Sequence, residues 1–364
     1  MIDVGEILVS STYHDLQLQP ASLDLTLGED VWLIDHSIPP SNFKKTLEYI
    51  QKTISKTSLK EALITKNKVV IAELQESLNL PEDISGKCSP KSSIGRTDML
   101  VRIITENGTR FDYIPKNYKG KLYAEIITQS FDILIPPYCA VSQIRFIDHS
   151  KTSKRLNPLP VDVNLEGEII GYMASTDPYF KKVVDLGRLN PIEMFWTPIT
   201  KKHLHDDYLL LRKDKFYILS SCAEIQMPPT HCGELVDFDS SSGELRLHYA
   251  GFIDPGFGYD KGASLVYEVR PFIDTLIFHK QTVGDLIFHE MLRIPDRYYG
   301  SSDLTSHYQG QRGPILSKYF NTAEELSGQS ATHLFPTSNP EKRVEAVGHD
   351  MWKTRGFPPP PSWN

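Results

Sequence analysis

The sequence predicts a mainly β protein: two tandem domains of one design, with a few short helices. Three observations carry that expectation. Short apolar runs alternate in period two between clusters of Gly, Pro, Asn and Asp, the pattern of strands joined by tight turns. Helical spacing is confined to a few places. The chain also repeats itself. "KVVIAELQESLNLPEDISGK" (68–87) and "KFYILSSCAEIQMPPTHCGE" (215–234) align without gaps, and "YKGKLYAEIITQSFDILIPPYCAVSQIRF" (118–146) parallels "DKGASLVYEVRPFIDTLIFHKQTVGDLIF" (260–288). A period this long belongs to a duplicated domain rather than a solenoid.

Taken in order, 1–150 is the first copy. It opens on "QPASLDLTLG" (19–28), a Pro-led strand with Asp24 between leucines. Residues 41–63 are expected to be helical, because Phe43, Leu47, Ile50 and Ile54 keep helix spacing. A connector rich in Pro and charge follows over 151–210, with short helical pieces near 190–205. The second copy covers 211–325. Within it, "HYAGFIDPGFGYDKGASLVYEV" (248–269) places hairpin chemistry, Asp254-Pro255-Gly256, between two strands. The last stretch, 326–364, ends in "GFPPPPSWN" and reads as an extended Pro-rich tail.

The 364 residues are ample for two domains with cores, and the composition, 40% hydrophobic and 23% charged, is that of a globular protein. A net charge of −7 argues against a duplex nucleic-acid binder, whose footprint is basic. Cys88, Cys139, Cys222 and Cys232 are widely spaced and form no CxxC pair, so a reduced, cytoplasmic setting is expected. No apolar run approaches membrane-spanning length, and no membrane partner is expected.

Four stretches bear chemistry. "SPKSSIGR" (89–96) gathers Lys91, Ser92, Ser93 and Arg96 among small residues. Hydroxyls, backbone amides and two cations suit a polyphosphate, although a solvated basic turn would look the same. The GxxxxGK[ST] pattern of a Walker loop is absent. Glu268 sits alone in an apolar strand, as does Glu125 in the first copy; a strand glutamate facing solvent would give the same pattern. "SHYQGQRGPILSK" (306–318) is Gly-rich and polar, as many surface loops are. The "QPASLDLTLG" strand is the fourth.

Together, and in this order, the four stretches resemble the dCTP deaminase branch of the dUTPase-like superfamily. That family carries a "QPASxDLxLG" strand, a "GRSSxxR" phosphate loop, an "AxxIDPGW" hairpin followed by a strand Glu, and a "YxxQxGPxxS" arm. Here these fall on Gln19–Gly28, Pro90–Arg96, Ala250–Phe257 with Glu268, and Tyr308–Ser317. The tandem arrangement is similar to the long, duplicated bacterial members. The resemblance covers most of 15–146 and 213–320, and implies a dUTPase-like fold of β-clip, distorted jelly-roll type.

The resemblance further implies metal-independent deamination of dCTP to dUTP and ammonia. In the family the strand Glu is the general base that activates water at cytosine C4, so Glu268 and Glu125 are the candidates, and neither is preferred from sequence alone. Partial burial suits a carboxylate to proton transfer near neutrality. Ser92 and Arg96 fall where the family orients water and base. Substrate contacts fall on Lys91, Ser93, Asp24 and Ala250, on Asp254 and Gly256 of the hairpin, and on Tyr308, Gln311 and Lys318 of the arm. No tightly bound cofactor is expected, and Mg²⁺ arrives with the triphosphate. Zinc deaminases use H-x-E and P-C-x-x-C ligands; both are missing, and His203 and His205 stand without a cysteine pair. The resemblance also implies a homo-oligomer, with a trimer as the family pattern.

Departures from the family pattern divide between the copies. The first has Lys91 for an Arg, which keeps charge and loses the bidentate fork, and its hairpin "FDYIPKNYKG" has Phe111 for Ala and Pro115 for Asp. The second keeps the hairpin but has acidic "ELVDFDSSSGE" (234–244) in place of the phosphate loop. Each copy lacks what the other has, so a site shared between them is expected. The rival is a separate trimer for each copy, in which Ser92 and Arg96 meet Glu125 of a neighbouring first copy. The alternative activities are dUTP diphosphatase, alone or coupled to deamination, and nucleotide binding without catalysis.

Overall fold

The computed structural model describes residues 7–9, 17–59, 63–151, 156–175, 182–236, 245, 247–248, 251–304 and 306–322. The chain divides into two units, 1–330 and 331–364; every described residue lies in the first. The Pro-rich tail therefore lies outside the described residues, as do Ala250 and most of the acidic loop.

The fold is mainly β. The first half builds a sheet around the long strands Leu23–Ile34, Val69–Asn79, Lys119–Thr128 and Ala140–Asp148. Alternation decides their faces: along Val69–Asn79, Ala72, Leu74, Glu76 and Leu78 turn inward while Glu73, Gln75 and Ser77 are half-exposed. In the second half the strands Tyr217–Ile225 and Ala263–Val269 pair antiparallel, as do His231–Leu235 and Thr282–Glu290. Their inward residues, among them Leu219, Leu265, Tyr267 and Leu286, form a core with Val161 and Val163. The segment expected as a connector is woven into these sheets. Leu159–Asp162 pairs with Thr282–Glu290, and Gly171–Ala174 pairs with Tyr217–Ile225.

The two halves repeat one another in detail. A bulge interrupts the pairing of Val69–Asn79 with Lys119–Thr128 between Glu73 and Ser77, and a bulge interrupts Tyr217–Ile225 against Ala263–Val269 between Ser220 and Glu224. Asp132 accepts a bond from the Lys66 amide at 2.7 Å, and Asp274 one from the Lys213 amide at 2.8 Å. Lys87 and Glu234, 147 residues apart and matched in the two copies, form an ion pair with each other.

One expectation is corrected. The helix expected over 41–63 runs only from Phe43 to Thr53 and buries Phe43, Leu47 and Ile50 against Trp32 and Tyr123. Ile54 is extended, and Thr57–Ser58 forms a short strand against Asp30 and Val31. The β-branched and hydroxyl residues after Thr53 favour that conformation over a further helical turn. Short helical turns at Ile192–Phe195 and Lys201–His203 occur where expected.

Candidate active site

The loop of the first half begins where the strand Ile84–Pro90 ends. Lys91 is extended, and its carbonyl accepts the Ile94 and Gly95 amides at 2.8 and 2.9 Å, closing the single helical turn Ser92–Gly95. Ile94 is buried beneath it, so the turn is anchored by an apolar side chain and presents Ser92 on its half-buried side. Asp98, in the left-handed region with φ 58°, redirects the chain into Met99–Thr105. Lys91 reaches back to Asp24 at 2.5 Å, which places the "QPASLDLTLG" strand beside this loop.

Arg96 points away from its own half. Its Nε lies 3.5 Å from Oε1 of Glu268, on the Ala263–Val269 strand of the second half. Both side chains are almost fully buried. The guanidinium lies 3.9 Å from the centroid of the Tyr308 ring. It also donates to Gln311 Oε1 at 3.3 Å and to the Ile315 carbonyl at 3.0 Å. Arg96 Nε has no hydrogen-bond partner among the described residues, since 3.5 Å is too long for one.

The arm is fixed at both ends of this arrangement. Gln311 forms two bonds with the Ser264 backbone, donating from Nε2 at 2.7 Å and accepting at its carbonyl at 3.0 Å. Ser317 donates to the carbonyl of Ser93 at 2.6 Å. Tyr308 accepts from the Lys318 amide at 3.2 Å, and its own amide donates to Tyr299.

The hairpin lies against the same region. Gly256 has φ 91°, and a Cβ there would come within 2.6 Å of the Tyr299 carbonyl, so only glycine fits. Asp254 pairs with Arg145 of the first half at 3.2 Å. Arg145 also donates to the Gly233 and Ile253 carbonyls at 2.7 and 3.0 Å and stacks on Phe252. The Gly251 amide donates to Ser89 Oγ at 3.1 Å, one residue before Pro90. Loop, hairpin, strand glutamate and arm are thus brought together from both halves.

Glu125 is placed elsewhere. Its buried carboxylate pairs with Arg102 in its own sheet and accepts from Ser37 Oγ and, at 2.9 Å, from the Ile38 amide. Phe111 stacks on Arg102 at 4.1 Å. Of the two lone histidines, His203 bonds Thr200 within an exposed turn and His205 stacks on Tyr208. No group of three or more His, Cys, Asp or Glu among the described residues could hold a metal ion.

Comparison with known proteins decides the family. Residues 1–150 match the N-terminal domain of 2′-deoxycytidine 5′-triphosphate deaminase, and residues 141–320 match its C-terminal domain. The crystal structure of 2′-deoxycytidine 5′-triphosphate deaminase from Agrobacterium tumefaciens is 32% identical. It superposes with a TM-score of 0.72 and covers 81% of this chain and 96% of its own. This chain belongs to the dCTP deaminase family. A "dCTP deaminase, dUMP-forming" of Methanosphaera stadtmanae is 26% identical over 187 residues, covering 50% of this chain and 89% of the relative. One from Corynebacterium kroppenstedtii is 35% identical over 120 residues, of which the match spans 61% of the relative's length.

In this deaminase the charges around the loop are unequal. Burial raises the pKa of Asp24, and Lys91 opposes the shift. Burial and the Lys91 charge lower that of Lys318. Burial, then Lys318 and Lys91, push His307 down to about 4; its ring lies 3.4 Å from Lys318 Nζ. Lys91, Lys318 and His307 thus lie close together, with Asp24 paired to Lys91. Sequence reasoning missed His307 and Arg145. His307 adjoins Tyr308 in a singled-out segment, whereas Arg145, in the apolar strand "AVSQIRF", gave no local signal.

Proposed function

We propose that this enzyme hydrolyses the 4-amino group of dCTP, giving dUTP and ammonia, at one site built between the two halves. The observation that carries the reading is the buried approach of Glu268 to Arg96 at 3.5 Å. It joins a strand carboxylate of one half to the hydroxyl- and cation-bearing loop of the other. Glu268 is the general base. It takes a proton from water as the water oxygen bonds to C4, and the displaced electron pair moves to N3. Glu268 delivers that proton to N3, then passes the hydroxyl proton of the tetrahedral intermediate to the departing amine, so that the C4–N bond breaks, ammonia leaves and the C4 carbonyl forms. The Arg96 guanidinium lies beside the carboxylate and orients the nucleobase. Ser92 orients the water. Lys91, Ser93, His307 and Lys318 surround the triphosphate, which brings its own Mg²⁺. Asp254 and Gly256 border the sugar, and Tyr308 and Gln311 hold Arg96.

A second reading concerns the product. Curated relatives are named dUMP-forming, so cleavage to dUMP and pyrophosphate after deamination is the alternative. Incubation with dCTP, with ammonia release followed and nucleotides separated by anion exchange, tests both. Ammonia with dUTP is the expected result; dUMP and pyrophosphate would establish the second reading, and no ammonia would overturn both. Stoichiometric zinc in the same active preparation would overturn the metal-free mechanism. Cytoplasmic placement and homo-oligomeric assembly complete the reading; a monomer by light scattering would remove the latter.

A further inference from the structure

Two residues beyond each member of the Arg96–Glu268 pair stands a second ion pair, with its charges reversed. Arg270 forks onto Asp98: its Nε donates to Oδ1 at 3.3 Å and its other nitrogen pairs with Oδ2. Ser130 closes the group, donating to Asp98 Oδ2 at 2.6 Å and accepting from Arg270 at 2.9 Å. A further Arg270 nitrogen donates to the Asp214 carbonyl. Asp98 is fully buried, and Arg270 keeps 14% of its side chain exposed.

Asp98 is tied to the loop. Its amide donates to the Gly95 carbonyl at 2.9 Å, and its carbonyl accepts from Gln129 at 3.2 Å. Arg270 directly follows the strand that carries Glu268. A bidentate pair in a dry setting is directional, so it fixes both the distance and the angle between loop and strand.

The charge order adds selectivity. Along the loop it is plus then minus, at Arg96 and Asp98. Along the strand it is minus then plus, at Glu268 and Arg270. Only one register pairs all four charges. A slip of two residues would set Arg96 against Arg270 or Asp98 against Glu268, and like charges in a buried place oppose such a slip. The first half offers no such partner, for the residue two beyond Glu125 is Ile127.

We infer that Asp98 and Arg270 are positioning residues: a register lock that sets Glu268 of one half against the Arg96 loop of the other. It makes this strand, and not the Glu125 strand, the partner of the loop. The inference rests on the reaction proposed above only for its kinetic consequence.

The test is a set of variants, Arg270→Met, Asp98→Asn, their combination and Arg270→Lys, each studied by crystal structure and steady-state kinetics with dCTP. Displacement of about 1 Å at a reacting centre costs ~10²-fold, so kcat should fall by about that factor in Arg270→Met with KM within about threefold. The double variant should be no slower than the slower single one, because one interaction has been removed twice. Arg270→Lys, which keeps charge without the fork, should recover part of the loss, and it carries the test if Arg270→Met does not fold. In the Arg270→Met crystal structure the Arg96–Glu268 separation should exceed the 3.5 Å seen here. An unchanged separation, or an unchanged kcat, would overturn the inference. The separation decides it even if the wild-type enzyme releases no ammonia from dCTP, a result that would count against the proposed reaction alone.

Discussion

Glu268 and Glu125 occupy matched strands and look alike in sequence, yet their surroundings assign them opposite work. Glu125 is saturated by Arg102, Ser37 and the Ile38 amide. A carboxylate so held serves as the hub that ties the 37–38 segment to its sheet, and it has little freedom to exchange a proton with substrate. Glu268 faces Arg96 beside the arm and the loop. Replacing a general base by its amide removes the proton acceptor and costs ~10²–10⁴-fold. Glu268→Gln is therefore expected to lose kcat by that factor while remaining folded at the assay temperature. It leaves a buried guanidinium, Arg96, without its carboxylate and lowers the melting temperature. Glu125→Gln leaves the Arg102 charge without its partner and should cost roughly 1–3 kcal/mol of stability, with kcat per folded molecule retained. Paired kinetics and calorimetric melting check both. A dead Glu125→Gln enzyme beside an active Glu268→Gln enzyme would reverse the assignment.

At the scale of elements, strand alternation and internal repetition made the sheets legible, because both are local patterns that burial enforces. The helix was overrun because Ile54 continues the apolar spacing while the hydroxyl-rich stretch behind it does not favour helix. The loop, hairpin and arm were legible one by one through their turn chemistry. Their meeting was not, because Arg96 reaches Gln311 and Ile315 across more than two hundred residues. Arg145 was invisible for the same reason: its partners Gly233, Ile253 and Asp254 lie on strands and the hairpin of the other half. The arm yields a pH prediction. His307 is held at about 4 by burial and by the Lys318 and Lys91 charges, and packs against the Tyr308 ring, so it is neutral at pH 7. A triphosphate placed among these cations would favour protonated His307 and raise its pKa. Binding then takes up a proton, and KM for dCTP should fall as pH drops from 7 towards 5. His307→Gln should flatten that part of the profile. An identical pH dependence of KM in the variant would remove His307 from the phosphate environment.

The whole molecule poses a question of number: two copies of a domain could hold two sites or one. Three features argue for one. The loop with Lys91, Ser92 and Arg96 belongs to the first half alone, and the matching stretch of the second, from Glu234 to Glu244, is acidic, which repels a triphosphate. The hairpin with Asp254 and Gly256 belongs to the second half; in the first, Phe111 takes the place of alanine and stacks on Arg102, closing over the pair that holds Glu125. The junctions between halves, Arg145 with Asp254, Arg270 with Asp98 and Lys87 with Glu234, orient one loop towards one hairpin. The two largely buried pairs, Arg145 with Asp254 and Arg270 with Asp98, contribute more to uniqueness of docking than to stability, since desolvation offsets much of their attraction. On the proposed reading, duplication has let each copy keep one portion of the chemistry and lose the other. Titration calorimetry of dCTP into the Glu268→Gln enzyme, which binds without turning over, should give about one nucleotide per chain. Adding Arg96→Ala should weaken that single event, because Arg96 is the group through which both halves meet the ligand. Two equivalents per chain, or binding indifferent to Arg96, would mean that the Glu125 half holds a nucleotide of its own and that the shared site is the wrong description.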